Sequence, residues 1–191
     1  PVLSDNYVWR ITDDESGQVA VVDPGEFAPV RNAIEAHGGR LDLILLTHHH
    51  ADHTGGADAL RERYAAKIAG AASDASRLPL LDMALKSGDS IALGESIAQV
   101  IDTPAHTLGH ISYYFNEPPS LFCGDTLFSL GCGRLFEGTA EQMYASLHAF
   151  DSLPDRTLIY CGHEYTASNA RFALHVYPDN IALHNYYLCI A

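Results

Sequence analysis

Apolar, β-branched and aromatic residues concentrate in two early stretches, Asn6-Tyr7-Val8-Trp9-Arg10-Ile11 and Gln18-Val19-Ala20-Val21-Val22-Asp23. This pattern predicts two strands joined through the polar turn Asp13-Asp14-Glu15-Ser16-Gly17, a hairpin opening. The period then changes. Val30, Ala33, Ile34 and His37 fall at i, i+3, i+4 and i+7, which predicts a helix that Gly38-Gly39 stops. Leu41 to Leu46, with the apolar run Leu43-Ile44-Leu45-Leu46, reads as a buried strand. Ala57 to Tyr64 reads as a second helix and Lys67-Ile68-Ala69 as a short strand. Between Gly70 and Gly88 the periodicity is weak, and we expect a loop with a partial helix around Leu80 to Leu85.

Strand-like apolar segments return in Ser90 to Leu93, Ser96 to Ile101, Ile111 to Phe115 and Leu121 to Cys123. These are four strands with turns at Gly94-Glu95 and Asn116-Glu117-Pro118-Pro119, so the second half is mainly antiparallel. Thr139-Ala140-Glu141-Gln142 has the form of a capping box, and Met143, Leu147 and Phe150 supply the apolar face of the helix it opens. Thr157 to Cys161 is a last strand. A helical pattern then runs from Thr166 through Ala170, Ala173 and Leu174 until Pro178, and a short segment from Asn180 ends at Ala191. Periodicity alone predicts a mixed α and β fold.

The candidate chemistry begins where the Leu41–Leu46 run stops, at Thr47-His48-His49-His50-Ala51-Asp52-His53. Imidazole nitrogens and carboxylate oxygens are good ligands for zinc and similar ions. In extended chain His48 and His50 point to one side, and the turn towards a helix at Gly55-Gly56 aims Asp52 and His53 at a second point nearby. One ion needs three or four protein ligands. Further candidates are His106 in Thr103-Pro104-Ala105-His106-Thr107-Leu108-Gly109-His110, Asp125 in Cys123-Gly124-Asp125-Thr126, and His163 in Cys161-Gly162-His163-Glu164-Tyr165. Each follows a strand-like segment, so loops at one sheet edge can bring them together.

On these motifs the chain resembles the metallo-β-lactamase superfamily. With Gly131-Cys132-Gly133-Arg134-Leu135-Phe136-Glu137-Gly138-Thr139 and Cys161-Gly162-His163-Glu164-Tyr165-Thr166 it resembles the glyoxalase II (hydroxyacylglutathione hydrolase) family within it. The resemblance runs from Leu3-Ser4-Asp5-Asn6-Tyr7 to about Asn180. It implies an αββα sandwich, with residues 1–165 as the metallo-β-lactamase domain and 166–191 as a shortened C-terminal helical segment. It also implies two divalent metal ions, zinc first, with iron or manganese as alternatives. The first ion would take His48, His50 and His106, and the second Asp52, His53 and His163, with Asp125 bridging both. Asp52 and Asp125 are the expected catalytic residues, Asp52 by orienting an attacking hydroxide. Arg134, Phe136 and Tyr165 match positions that line the substrate groove.

The implied activity is hydrolysis of glutathione thioesters such as S-lactoylglutathione, a step of methylglyoxal detoxification. Another thioester or ester hydrolase, a mononuclear iron persulfide dioxygenase, and a metal-binding domain with an impaired groove are the alternatives. Glyoxalase II proteins continue further, with helices whose basic residues hold the glutathione carboxylates. Here the last basic residue other than histidine is Arg171, so the resemblance implies a weaker hold on those carboxylates, in a shortened variant or an incomplete sequence.

Simpler accounts stand beside several residues. Asp23 before Pro24-Gly25 fits a turn as well as the support that the superfamily gives its metal loops, Arg134 fits a surface charge, and Phe136 fits core packing. His110 suits a structural hydrogen bond, and His37, His49, His148, His175 and His184 lack ligand spacing. Cys123, Cys132 and Cys161 flank the motifs and read as small buried thiols, with Cys189 apart from them and no Cys-x-x-Cys pair.

Composition adds limits. A chain of 191 residues that is 47% hydrophobic suits one domain. A formal charge of −13, from 24 acidic and 11 basic residues, repels a phosphate backbone and argues against a nucleic-acid partner. No apolar run approaches the ~18 residues of a membrane span. The chain opens at Pro1-Val2-Leu3 with no visible signal pattern, and we expect a cytoplasmic monomer.

Overall fold

The run Leu43-Ile44-Leu45-Leu46 is apolar without alternation because both of its faces are covered. Leu43 and Leu45 pack into one core cluster, while Ile44 and Leu46 pack into another on the opposite side of the same strand. Fully burying one such side chain contributes about 1.5–3 kcal/mol, which fixes the strand's register.

The computed structural model describes residues 1–190; Ala191, the end of the segment expected from Asn180, lies outside the described residues. The elements in order are β1 (Trp9–Thr12), β2 (Val19–Val22), α1 (Phe27–Ala36), β3 (Leu43–Leu45), α2 (Ala51–Thr54), α3 (Ala57–Tyr64), β4 (Lys67–Ala71), β5 (Met83–Leu85) and β6 (Ser90–Leu93). They continue with β7 (Ser96–Asp102), β8 (Ile111–Asn116), β9 (Pro119–Gly124), β10 (Leu127–Phe128), β11 (Gly131–Cys132), α4 (Ala140–His148), β12 (Leu158–Cys161), α5 (Thr166–Val176) and α6 (Ile181–Ile190).

Two five-stranded sheets, ordered β1-β2-β3-β4-β5 and β12-β9-β8-β7-β6, face each other. Ala20, Val22, Leu45 and Ala69 of the first meet Ile91, Val100, Tyr113 and Phe122 of the second. The outer face of the first sheet, through Val21, Ile44 and Ile68, is covered by Val30 and Ile34 of α1 and Leu60 of α3. On the far side Tyr114, Leu121 and Cys123 pack against Phe150 and Leu153 after α4. The layers are therefore helix, sheet, sheet, helix, the αββα sandwich that the resemblance implies. The capping box that opens α4 is formed, with Thr139 and Gln142 each accepting from the other's backbone N–H.

The first sheet is parallel from β2 to β5, with β1 antiparallel to β2. In the second sheet β7 and β9 both run antiparallel to β8, and β12 runs parallel to β9. The C-terminal ends of β7, β9 and β12 thus share one edge. Loops leaving that edge and the ends of β2 and β3 build the site described below.

Three expectations need correction. The partial helix around Leu80 to Leu85 is instead the edge strand β5, paired parallel with β4, and Asp82 accepts a hydrogen bond from the Ile68 N–H at 2.8 Å. Leu80, 81% exposed, supplies no helix face to a core. The first strand begins at Trp9 rather than Asn6, because residues 5–7 pair with the loop after β12 instead of with β2. Cys132 is exposed and Cys161 half-buried, so of the three motif thiols only Cys123 is a small buried one. The helix α2 and the small β10–β11 hairpin were not expected. Among the described residues, no helix is long and apolar enough to cross a membrane.

Candidate metal centre

The loop after β3 leaves the buried strand at Thr47 and His48, both fully buried, and re-enters a helix at Ala51. Gly25 permits this path, since a Cβ there would lie 1.9 Å from the Asp52 carbonyl oxygen. The loops after β7, β9 and β12 bring in His106, Asp125 and His163. Ring nitrogens of His48, His50 and His106 all lie within 4.8 Å of one another, as do the ligand atoms of Asp52, His53 and His163. Asp125 lies between the groups. Its Oδ2 is 3.4 Å from His106 Nε2 and 3.3 Å from His163 Nε2, and its Oδ1 is 3.4 Å from His53 Nε2.

The hydrogen bonds behind these rings decide which nitrogens carry protons. Thr47 Oγ1 donates to Asp23 Oδ2 at 2.7 Å, so it must accept from His48 Nδ1 at 3.0 Å, and His48 Nε2 is left with a lone pair. His106 Nδ1 donates to the Arg134 carbonyl at 2.9 Å, which leaves its Nε2 bare as well. Both bare nitrogens approach His50 Nδ1, at 3.1 and 3.0 Å. His50 Nδ1 carries at most one proton, so a single hydrogen bond cannot satisfy three converging nitrogens.

The second group repeats the arrangement. His53 Nδ1 donates to Asp23 Oδ2 at 3.1 Å and His163 Nδ1 to Asp5 Oδ1 at 2.8 Å, which turns their Nε2 atoms, 3.2 Å apart, towards Asp52 and Asp125. Asp52 Oδ2 lies 3.4 and 3.5 Å from these two atoms. Among the described residues, the buried Asp125 Oδ1 accepts no hydrogen bond. Imidazole nitrogens and carboxylate oxygens converging on two neighbouring points, with one buried carboxylate oxygen left unpartnered, are the donor set of a divalent cation, so these residues fit a metal.

Proton affinities follow the same division. Burial, aided by the neighbouring imidazoles, holds His48 well below its ordinary value and lowers His50. Burial also lowers His106, against the pull of Asp125. For His53 burial is outweighed by hydrogen bonds to Asp23 and Asp52 and by the Asp125 charge, and its pKa rises to about 10. His163 is likewise raised, its burial outweighed by Asp125 and Asp5. The hydrogen bond with His53 holds Asp52 far below the usual carboxylate range. Positive charge is thus favoured beside Asp52 and Asp125, and neutral ligands are favoured at His48, His50 and His106.

Asp23, Asp5, Asn6 and Thr47 are the supports. The superfamily resemblance pointed to Asp23, which also accepts from Thr47 N at 2.8 Å; its oxygens are committed to these bonds, so the Asp23–His48–His53 grouping is a support and not a third site. Asp5, Asn6 and Thr47 stand in the sequence motifs with no role that the motifs themselves imply. Their signal was position, next to ligands or inside the Leu3–Tyr7 motif. His110 is buried and structural, as expected: its Nε2 accepts from Asp125 N at 3.2 Å and its Nδ1 faces Thr103 Oγ1 at 2.9 Å.

The groups form the floor of a cleft of about 1030 Å³. Arg134, Phe136 and Tyr165 all line it, as do Cys132, Ser168 and Asn169, for which no role was expected. Phe136 is 62% exposed and packs edge-on against His50 and His106, so the core-packing account is wrong. Tyr165 stacks on His163 with the rings 4.9 Å apart and nearly parallel. Beside the cleft, Arg77 pairs with both Asp74 and Glu137; Asp74 binds His49 Nδ1 at 2.9 Å, and Glu137 accepts from Leu108 N at 2.7 Å. This network ties together the three loops that carry His50, His106 and Phe136.

Residues 3–163 match the family model described as Metallo-beta-lactamase superfamily. A hydroxyacylglutathione hydrolase from Acidiphilium cryptum is 56% identical over 183 residues, 96% of this chain and 74% of that protein. Among solved structures, ETHE1 from Myxococcus xanthus is 34% identical with a TM-score of 0.76, covering 85% of this chain and 72% of that one. TTHA1623 in a di-iron-bound form is 27% identical with a TM-score of 0.74, covering 83% and 87%. By the family match, the identity and the residues gathered in the cleft, the chain belongs to the metallo-beta-lactamase superfamily and, within it, to the hydroxyacylglutathione hydrolase family.

Proposed function

We propose that the chain hydrolyses glutathione thioesters, S-lactoylglutathione among them, at a binuclear metal centre. The observation that carries this is the convergence of imidazole nitrogens and carboxylate oxygens on two neighbouring points with Asp125 between them. His48, His50 and His106 would hold the first ion and Asp52, His53 and His163 the second, with Asp125 touching both. Bound there, two divalent ions, zinc first and iron or manganese as alternatives, supply Lewis acidity and lower the pKa of water towards ~7.

The protein's own groups do the rest. Asp52, 40% exposed at the cleft, accepts the hydrogen bond that orients the attacking water. Water adds to the thioester carbonyl, the C–S bond breaks, and the sulfur leaves as the thiolate of glutathione. Arg134 pairs with a substrate carboxylate, Tyr165 donates a hydrogen bond to it, and the exposed Phe136 ring forms an apolar wall beside His50 and His106. Residues 1–165 form the catalytic domain in this scheme, and residues 166–191 are the C-terminal segment, from which α5 adds Ser168 and Asn169 to the cleft.

Metal content and products test the proposal together. Two ions per chain with release of free thiol from S-lactoylglutathione support it. One iron per chain with oxygen consumption on a glutathione persulfide would replace it with the dioxygenase alternative.

A further inference from the structure

The two halves of the centre are supported by different parts of the chain. Behind His48 and His106 stand Thr47 and the Arg134 carbonyl. Behind Asp52 and His163 stand Asn6 and Asp5, neighbours in the segment 2–7 that crosses the site before β1 begins. That segment is fastened by backbone. Val2 and Asn6 bond each other at 2.9 and 3.2 Å, Tyr7 N donates to Gly162 O at 2.8 Å, and Glu164 N donates to Asp5 O at 2.8 Å. Asn6, 5% exposed, is held in place by these bonds.

From this platform the Asn6 amide donates to Asp52 Oδ2 at 2.9 Å and to the Asp52 carbonyl at 3.3 Å. Oδ2 is the same oxygen that faces His53 Nε2 and His163 Nε2. Asp52 needs such a hold, because it sits in a four-residue helix with its carboxylate open to the cleft. Asp5 fixes the His163 tautomer and turns Nε2 inward, as a carboxylate behind a metal-bound histidine does.

We infer that Asp5 and Asn6 are positioning residues that set the affinity of the second metal position and leave the first untouched. The inference rests on the binuclear proposal above. The first position's ligands make no bond to either residue's side chain.

The test starts from the zinc-loaded full chain and follows transfer of each zinc to a chromophoric chelator at graded concentrations. Asp5→Ala and Asn6→Ala should keep one zinc at wild-type affinity and hold the other ~10- to 100-fold more weakly, the usual cost of losing a partner behind a metal ligand. Asp5→Asn, which keeps an oxygen to accept from His163 Nδ1, should restore most of the loss, and a change of fold would not be repaired that way. Asp5 is 43% exposed, so its variants fold even if Asn6→Ala does not. Unchanged affinity for both ions, or equal weakening of both, in Asp5→Ala overturns the inference. Fewer than two zinc ions on the wild-type chain overturns the binuclear proposal, and the inference with it.

Discussion

Asp23→Ala should destabilise the chain severely, although Asp23 is not itself proposed to touch a metal. Its carboxylate accepts three hydrogen bonds in a buried pocket, from Thr47 N at 2.8 Å, Thr47 Oγ1 at 2.7 Å and His53 Nδ1 at 3.1 Å. Each donor left without a partner costs about 1–3 kcal/mol, so the sum is roughly 3–9 kcal/mol. Water entering the vacated space relieves part of this, and we expect about 3–5 kcal/mol. Backbone adds to the loss, because Asp23 has φ +51, a left-handed conformation that Asp and Asn adopt more readily than Ala. For a chain of this size the melting temperature should fall by roughly 6–20 °C. Asp23→Asn tolerates the same φ and keeps one acceptor oxygen, so it should lose about half as much. Urea unfolding with a chelator present excludes any contribution from metal binding. A loss below about 1 kcal/mol in Asp23→Ala would refute the claim that this carboxylate organises the loop after β3.

Three further outcomes are expected. Asp125→Ala should lose both ions and turnover together, since its oxygens face His106, His53 and His163; normal metal content and turnover would contradict the shared role. His48→Ala or His106→Ala should deplete one ion first and His163→Ala the other, and a zinc assay showing the same ion emptied by His48→Ala and His163→Ala would break the division. Glu137, held down to about 2 from 4.5 chiefly by its hydrogen bond with Arg77, contributes stability above about pH 4.5 that is lost as pH falls towards 2. The gap between wild type and Glu137→Gln, at most about 1 kcal/mol for a pair this open to solvent, should therefore shrink over that window in urea titrations, and an equal gap at pH 2 and pH 7 would refute it.

The candidate ligands were legible in the sequence because each imidazole or carboxylate directly follows an apolar run, and apolar runs mark where a strand ends at a sheet edge. His48, His106, Asp125 and His163 all have this signature. The sandwich itself was not legible from periodicity, which reported strands and helices without saying which sheet each strand joins; the motifs carried that step. β5 was missed because an edge strand of three residues offers one alternation and no turn signal, and α2 because four residues are too few for a period. Phe136 was ambiguous because an aromatic residue reads alike in a core and on a cleft wall. Asp5 and Asn6 are short-range in sequence to nothing they hold: Asn6 reaches Asp52 across 46 residues and Asp5 reaches His163 across 158. Such pairings follow from tertiary closure, and no local pattern encodes them.

The central claim is that two ions act together in thioester hydrolysis. The direct measurement is turnover of S-lactoylglutathione, followed by thiol release, as zinc is added back to the metal-free chain. Activity should be absent without zinc and should climb to its plateau only as the second equivalent binds. Full turnover at one equivalent, or none with two ions bound, would contradict the account.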